Sequence, residues 1–438
     1  MTIVALDDTD SRERGMCTTY LAALVGEEIA DAGGSLDGHW LLRLNPAVEH
    51  KTRGNAALAI ETDLSVEAAT AIATAAIESR AISADPNTSP GLVVAPGDRS
   101  DVPAAVQQFG QQALREIHGL ADAIELADTY DYTHRGWAAA GCETIGRGRI
   151  GALAAIGLMA TLAEPTYEHI SYRVFDRCGT PRDVNYDSVV AAAEAGYPTV
   201  WDTVDRVEEQ AVCVPHAPGP ILHGIRGDDP DACRRVASLI ESEPVDRAVT
   251  FRTNQGTDAH LRAGTIGSLR EDRGYRVDGI VASDPHTERG GHVFFELSPP
   301  AAAEDAVARE GQTIDCAAFE PTKRFRDRVR ALRAGDRITA CGEMSNGTVK
   351  LEKLAVRSLI DSEQRAPTCL DCGRTMKSAG RDAGYRCRDC GTNAPGKVEV
   401  PIERSIEPGW YEVPPCARRH IAKPLVRGGF DAAIHPER

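Results

Sequence analysis

Thr2-Ile3-Val4-Ala5-Leu6-Asp7-Asp8-Thr9-Asp10 opens the sequence as an apolar strand that runs straight into acid. A polar loop leads to Gly15, and from Thr18 onward Leu21, Leu24, Val25 and Ile29 recur at helical spacing. The order strand, acidic loop, helix predicts an α/β layer at the start of the chain. Alanine-rich helical stretches at 65–80, 103–125 and 188–195, with a strand-like run from Gly91 to Ala95, extend that class. No internal repeat of fixed period interrupts it.

From about residue 275 the pattern changes to alternating strands: Tyr275 to Ala282, His292 to Leu297, Thr313 to Phe319, Arg337 to Glu343 and Thr348 to Arg357. A helix-like segment, Phe325 to Leu332, falls between the third and fourth strands, which is the order of an OB-fold barrel. Such a barrel binds single strands or loops of nucleic acid across one face. Lys323 to Arg333 carries six basic residues and one acid, so Lys323, Arg324 and Arg326 are candidate RNA contacts; a solvated helical face is the alternative. Asp361 to Pro367 reads as a polar linker.

Beyond the linker, Cys369-x2-Cys372 and Cys387-x2-Cys390 are separated by fourteen residues, and Gly373 and Gly391 follow the two pairs. Two such knuckles supply four thiolates to one tetrahedral Zn²⁺, and a four-cysteine site is closed and structural. The predicted unit is a zinc ribbon.

Asp7, Asp8 and Asp10 lie at the carboxyl end of the first strand, where an α/β sheet usually places a ligand. Clustered carboxylates repel unless a cation lies between them, so Asp7 and Asp8 are candidate Mg²⁺ ligands facing a nucleotide phosphate. A solvated acidic turn capping the next helix is the alternative. Two stretches could cradle phosphates. Lys51, Arg53, Gly54 and Asn55 set cations beside a glycine, and Gly146-Arg147-Gly148-Arg149-Ile150-Gly151 precedes a helical run at whose N-terminus backbone N–H groups favour anions.

The length of 438 residues suggests three or four domains. The start of the sequence has no basic region followed by an apolar stretch, and no segment is apolar for ~18 residues, so neither secretion nor a membrane span is expected. Twelve cysteines without disulfide-scaffold density fit a reducing cytoplasm. A net charge of −16 argues at first against a nucleic-acid partner. Yet only seven of the 49 basic residues are lysine, a usage that fits a high-salt cytoplasm or a genomic composition bias. At ~1 M salt the Debye length is about 3 Å, so RNA would be held by short-range contacts.

Taken together, Asp7 to Ser11, Gly15 to Tyr20, Arg43 to Pro46, Lys51 to Asn55, Asn87 to Gly91 and Gly146 to Gly157 resemble the archaeal isoleucine-tRNA 2-agmatinylcytidine synthetase family. Gly224 to Gly227, Phe251 to Asp258 and Arg418 to Leu425 resemble it too, so the likeness runs through almost the whole chain. It implies an ATP-dependent kinase-like catalytic domain over 1–165, a ferredoxin-like domain over 166–270, an OB-fold over 271–362, a zinc ribbon over 363–396 and a basic tail over 397–438. It also implies a reaction in which ATP phosphorylates the C2 oxygen of the wobble cytidine and agmatine displaces the phosphate. On that resemblance Asp7, Asp8 and Asp10 would hold Mg²⁺ and ATP, and Thr18 would match the family's autophosphorylated threonine. Arg12-Glu13-Arg14 before Gly15 departs from shorter forms of the first motif.

A non-catalytic RNA- or DNA-binding protein built on barrel and ribbon is the alternative. The acidic loop counts against it, since a pure binder has little use for carboxylates beside phosphates. One further stretch, Val413 to Phe430, contains no acid in a chain with 65 carboxylates. Arg418, Arg419 and Lys423 are therefore candidate phosphate contacts, and docking on an acidic neighbouring domain is the alternative.

Overall fold

Alternation places the first strand, β1 (Thr2–Asp7): Ile3 and Ala5 face one apolar core, Val4 and Leu6 face the other, and all four are fully buried. The computed structural model describes residues 1–11, 13, 15–49, 54–139, 144–300, 312–381 and 383–438. The elements following β1 are α1 (Thr18–Asp31), β2 (Leu36–Arg43), β3 (Ala56–Thr62), α2 (Val66–Arg80), β4 (Gly91–Pro96), α3 (Ala104–Ala113), α4 (Leu120–Thr129), β5 (Thr133–Gly136) and α5 (Gly148–Thr161). Helices α1 and α2 cover one face of the sheet, and α3, α4 and α5 cover the other. The continuous stretch expected over 103–125 is two helices. Their junction turns Glu116, Ile117 and His118 toward a cavity instead of continuing the helix.

The chain continues through β6 (Thr166–Arg173), α6 (Tyr186–Gly196), β7 (Val200–Trp201), β8 (Ile221–Gly227), α7 (Pro230–Leu239) and β9 (Val245–Thr253). These strands join the first set in one nine-stranded sheet of order β5-β4-β1-β3-β2-β9-β6-β8-β7. The seam is the parallel pair β2·β9, with Trp40 opposite Arg252. No break in the sheet separates residues 1–165 from 166–270. Strands β3 and β4 flank β1 antiparallel, so the acidic loop does not lie in the crevice of a parallel sheet. The N-terminus of α5 encloses it instead.

After β10 (Leu261–Gly264) come β11 (Arg273–Val281), β12 (His286–Thr287), β13 (Val293–Ser298), β14 (Ile314–Ala318), α8 (Phe325–Arg330), β15 (Arg337–Ser345) and β16 (Thr348–Ser358). Pairing runs β11·β13, β13·β14, β14·β16, β16·β15 and β15·β11, which closes a five-stranded β-barrel. Phe325 and Val329 of α8 are fully buried in the barrel core. All five expected strands and the helix between them are present.

A pair of strands, β17 (Ser362–Arg365) and β21 (Val398–Pro401), brackets the cysteine unit, whose strands β18 (Lys377–Ser378), β19 (Tyr385–Arg386) and β20 (Asn393–Ala394) have two residues each. The last segment does not trail away. Its strand β22 (Gly409–Glu412) adds to β16, and β23 (Ile434–His435) adds to β22. Between them the chain crosses to the large sheet, where Gly256 N donates to His420 O at 2.8 Å and Ile421 enters the first core. Among the described residues no helix is long and apolar enough to cross a membrane.

Candidate active site

Two glycines of the Gly146–Gly151 stretch determine how closely α5 approaches the acidic loop. A Cβ on Gly148 would stand 2.5 Å from the Asp7 backbone oxygen, and one on Gly151 would stand 1.9 Å from Asp7 Oδ2. Neither distance is tolerable, so only glycine lets the first turn of α5 lie against Asp7. In that turn the N–H groups of Gly148, Arg149 and Ile150 donate to Ser89 O, Gly146 O and Arg147 O, and the positive end of the helix lies beside a carboxylate. The stretch is therefore a helix N-terminus packed on β1.

Asp7 Oδ1 accepts the Asp8 N–H at 2.7 Å, and Asp8 is held in the left-handed region at φ 59°. Burial, and then the Asp8 charge, push the Asp7 carboxyl well above its usual range. Burial likewise raises Asp8 to about 6, even though Arg147 Nη2 donates to Asp8 Oδ2 at 2.7 Å. Two adjacent buried carboxyls whose ionised forms are costly are short of positive charge. A divalent cation fits them, and Asp7 and Asp8 with phosphate oxygens match the way Mg²⁺ is usually held. The three aspartates do not converge on a single point: among the described residues, sets of three or more potential ligands within 4.8 Å are the four cysteines and Asp258, His260 and Glu352. The second set already has cations, since Lys353 Nζ bonds both Asp258 oxygens at 2.8 and 2.7 Å.

Thr18 is the first residue of α1, and its Oγ1 accepts from Thr9 Oγ1 at 3.2 Å. Asp7, Asp8, Asp10, Thr18, Gly54, Asn55, Arg147 and Gly148 all line one cavity of about 330 Å³. Gly146 stands just outside it, two residues before α5, with its N–H donated to Trp137 O. Lys51 and Arg53 lie outside the described residues.

The far wall of this cavity carries residues to which the motifs assigned no role: Arg43, Glu168, Arg226 and His420. Glu168 lies 3.8 Å from Arg43 and 4.0 Å from Arg226, and Gln255 Nε2 donates to Oε2, the oxygen that faces Arg43. Burial, with Arg43 and Arg226 nearby, depresses the His420 imidazole well below its usual range. One signal for Glu168 was legible, because it shares a core-facing register with Thr166 and Ile170 in β6. A carboxylate there needs a reason.

Cys369, Cys372, Cys387 and Cys390 bring four Sγ atoms within 4.8 Å of one another. Gly373 and Gly391 have φ values of 71° and 76°, and their N–H groups close tight turns onto Cys369 O and Cys387 O. The donor set and its turns fit a structural zinc.

The basic segments divide. Arg418 has 2% of its side chain exposed and bonds Asp202 and Glu412, the latter at 2.8 Å. It joins tail to sheet, so its expected place on an RNA surface is corrected to the docking alternative: a guanidinium buried between two carboxylates faces no phosphate. Arg324 is similarly committed, to Glu437 at 2.5 Å and to Asp205 at 3.0 Å, and so ties barrel to sheet. Arg326 donates to Gly291 O at 2.9 Å, Lys323 lies 3.4 Å from Glu208, and Lys423 Nζ lies over the Phe430 ring. Arg419 pairs with Glu343 at 2.5 Å but keeps 32% of its side chain exposed.

Comparison with known proteins bears on this geometry directly. Family models described as the TiaS TCKD domain, the TiaS FLD domain and the TiaS C-terminal zinc ribbon domain match residues 3–74, 146–260 and 366–406. The chain is 54% identical to the isoleucine-tRNA 2-agmatinylcytidine synthetase TiaS of Haloquadratum walsbyi, over 100% of both chains. Its structure is similar to that of TiaS in complex with its isoleucine tRNA and ATP, with a TM-score of 0.87 at 37% identity, covering 100% of this chain and 99% of that one. A complex of TiaS with the same tRNA, AMPCPP and agmatine gives a TM-score of 0.84 at 35% identity, with coverage of 100% and 99%. The chain belongs to the family of isoleucine-tRNA 2-agmatinylcytidine synthetases.

Proposed function

We propose that this chain uses ATP to join agmatine to C2 of the wobble cytidine in the isoleucine tRNA with a CAU anticodon, giving a base that pairs with adenosine and decodes AUA. In the first step the C2 oxygen attacks the γ-phosphorus and ADP leaves. In the second the primary amine attacks C2 and phosphate leaves. Phosphorylation is what makes a pyrimidine oxygen displaceable. The observation that carries this reading is the single cavity in which a buried Asp7–Asp8 pair and a helix N-terminus meet the polar wall of Glu168, Arg43 and Arg226.

Asp7 and Asp8 hold Mg²⁺, which when bound supplies positive charge to the transferring phosphoryl group. Asp10 and Thr18 serve the same end of the cavity, with Thr18 as a phosphoryl acceptor. Gly54, Asn55, Arg147 and Gly148, with Lys51 and Arg53, cradle the ATP phosphates, and Gly146 supports that turn from outside the cavity. The four cysteines hold Zn²⁺. Lys323, Arg326, Arg419 and Lys423 are the cations left to meet RNA.

Topology supports the modular reading, with a kinase-like unit first. In the order β9-β6-β8-β7, β6-α6-β7-β8-α7-β9 has the split βαβ arrangement of a ferredoxin-like domain over about 166–270, and the barrel has the strand sequence of an OB-fold. The working site is the cytoplasm, where tRNA and agmatine meet. The wobble base must be splayed from the anticodon stack to enter the cavity.

The test is nucleoside mass analysis of the isoleucine tRNA after incubation with the full chain, ATP and agmatine. A 2-agmatinylcytidine peak that needs all three components is expected. ATP consumption without modified nucleoside would overturn the reading.

A further inference from the structure

Two short segments that line the cavity are also fastened to the strand pair β10·β11 at the edge of the barrel. The first runs from Leu44 to Val48, where Asn45 N donates to Ala113 O at 2.8 Å and Asn45 Nδ2 to Asp272 O at 3.1 Å. The second is the junction of α3 and α4. There Arg115 Nε donates to Ala259 O at 2.9 Å, and Arg262 Nη2 donates to Arg115 O at 2.9 Å and to Glu116 Oε1 at 3.2 Å. Arg273 stands 3.9 Å from the other Glu116 oxygen, and the His118 ring packs on Phe109 with centroids 4.3 Å apart. Ile117 lies between these two anchored residues and is 56% exposed. Among the described residues with a large exposed apolar side chain, it is the one that lines the cavity. Single exposed apolar side chains are ordinary on a surface. This one is branched, stiff at χ1 and held at the cavity mouth by neighbours fixed on both sides, so it is placed to meet something flat and apolar that arrives with the substrate. An RNA base has such a face.

We propose that Ile117 packs against the anticodon adenosine next to the wobble cytidine, filling the place in the stack that the cytidine leaves as it enters the cavity. The inference deepens the function proposed above and rests on it. A cytidine drawn out of the stack exposes one face of its neighbour to water and is free to fall back. An apolar side chain set against that face offsets the lost stacking and blocks the return, as apolar wedges between base steps do elsewhere. Of the three junction residues only Ile117 suits the part, because Glu116 is committed to Arg262 and Arg273 and His118 to Phe109. The ties to β10 and β11 also keep the wedge at a fixed distance from RNA held on the barrel.

The experiment uses the full chain and an isoleucine tRNA with 2-aminopurine in place of that adenosine, whose fluorescence rises when stacking is lost. At saturating protein the wild type should raise the signal, Ile117→Ala should lose most of the rise, and Ile117→Leu should keep it. With unlabelled tRNA, Ile117→Ala should lower kcat/KM for the tRNA by about 10-fold while KM for ATP moves by no more than about 2-fold. Modification by Ile117→Ala at the wild-type rate overturns the proposal. So does an unchanged fluorescence rise, and so does a KM for ATP that increases as much as kcat/KM falls, which would assign the side chain to the nucleotide pocket. A wild-type chain that forms no 2-agmatinylcytidine would instead overturn the functional reading beneath it.

Discussion

The cysteine ribbon and the acidic cavity are both clusters of metal-ligand side chains, but they are assembled in opposite ways. In the ribbon all four ligands lie between Cys369 and Cys390, in turns beside strands of two residues, around a core of Cys369, Met376 and Cys387. So small a core cannot order the segment by itself, and ion binding there is inseparable from folding. Cavity residues come instead from Asp7 to His420, on a nine-stranded sheet with a packed core on either face. The scaffold holds the aspartates whether or not a cation is present. Losing the metal should unfold the first site and only silence the second.

The largest expected effect breaks that comparison if it fails. Asp8→Asn should lower ATP turnover by about 1,000-fold, because it removes a ligand and charge needed only as the phosphoryl group moves. Thermal stability should stay level or rise slightly, since burial already holds the Asp8 carboxyl at about 6 and its ionised form is costly at neutral pH. Calorimetry together with a turnover assay checks both. A strong fall in Tm would make Asp8 a structural residue, and normal turnover would leave the loop a cap.

Cys369→Ser is the complement. Elemental analysis should find about one zinc per wild-type chain and none in the variant, with the ribbon amides losing protection from hydrogen exchange. Strands β1 to β16 should keep theirs. Zinc retained in the variant would sink the site, and exchange spreading into the barrel would show that the ribbon is not a separate folding unit.

The same contrast explains what was legible in the sequence. Spacing alone identified the cysteine unit because its ligands are near neighbours. The barrel strands were legible because period-two alternation is local, as Val293, Phe295 and Leu297 show by facing inward together. Asp7, Asp8 and the Gly146–Gly151 stretch could be picked out singly. Their contact could not, because it depends on helix α5 meeting β1 after more than a hundred intervening residues. The fused sheet was hidden for a similar reason: β2 and β9 pair across two hundred residues, and nothing local in either strand names its partner. In the tail, absence of acid suggested phosphate. The counter-charges of Arg418 are Asp202 and Glu412, one of them distant in sequence, so charge counting along the chain could not find the pair.

Arg418 tests whether the scaffold of the cavity depends on that docking. Arg418→Ala leaves Asp202 and Glu412 facing each other across a buried gap, and breaking a buried pair of this kind costs about 3–5 kcal/mol. Burial already raises the Glu412 carboxyl to about 7, so loss of its guanidinium should raise it further. Denaturant unfolding should show the loss, and the salt dependence of tRNA affinity should not change. A variant as stable as wild type would return Arg418 to the RNA surface.

Arg419 is the smallest and sharpest case, because it follows Arg418 directly and points elsewhere. Its pair with Glu343 is partly solvated, so Arg419→Ala should cost no more than about 1 kcal/mol of stability. If the guanidinium exchanges Glu343 for a phosphate when RNA arrives, the variant should bind any tRNA somewhat more weakly, without regard to anticodon. One lost phosphate contact should reduce the slope of log affinity against log salt by about 1. The Arg418 and Arg419 variants then form a pair: one loses stability and keeps its salt slope, while the other keeps stability and loses slope. If Arg419→Ala keeps its slope as well, Arg419 acts as a strap between barrel and sheet, and the phosphate contacts are left to Lys323, Arg326, Lys423 and the ribbon.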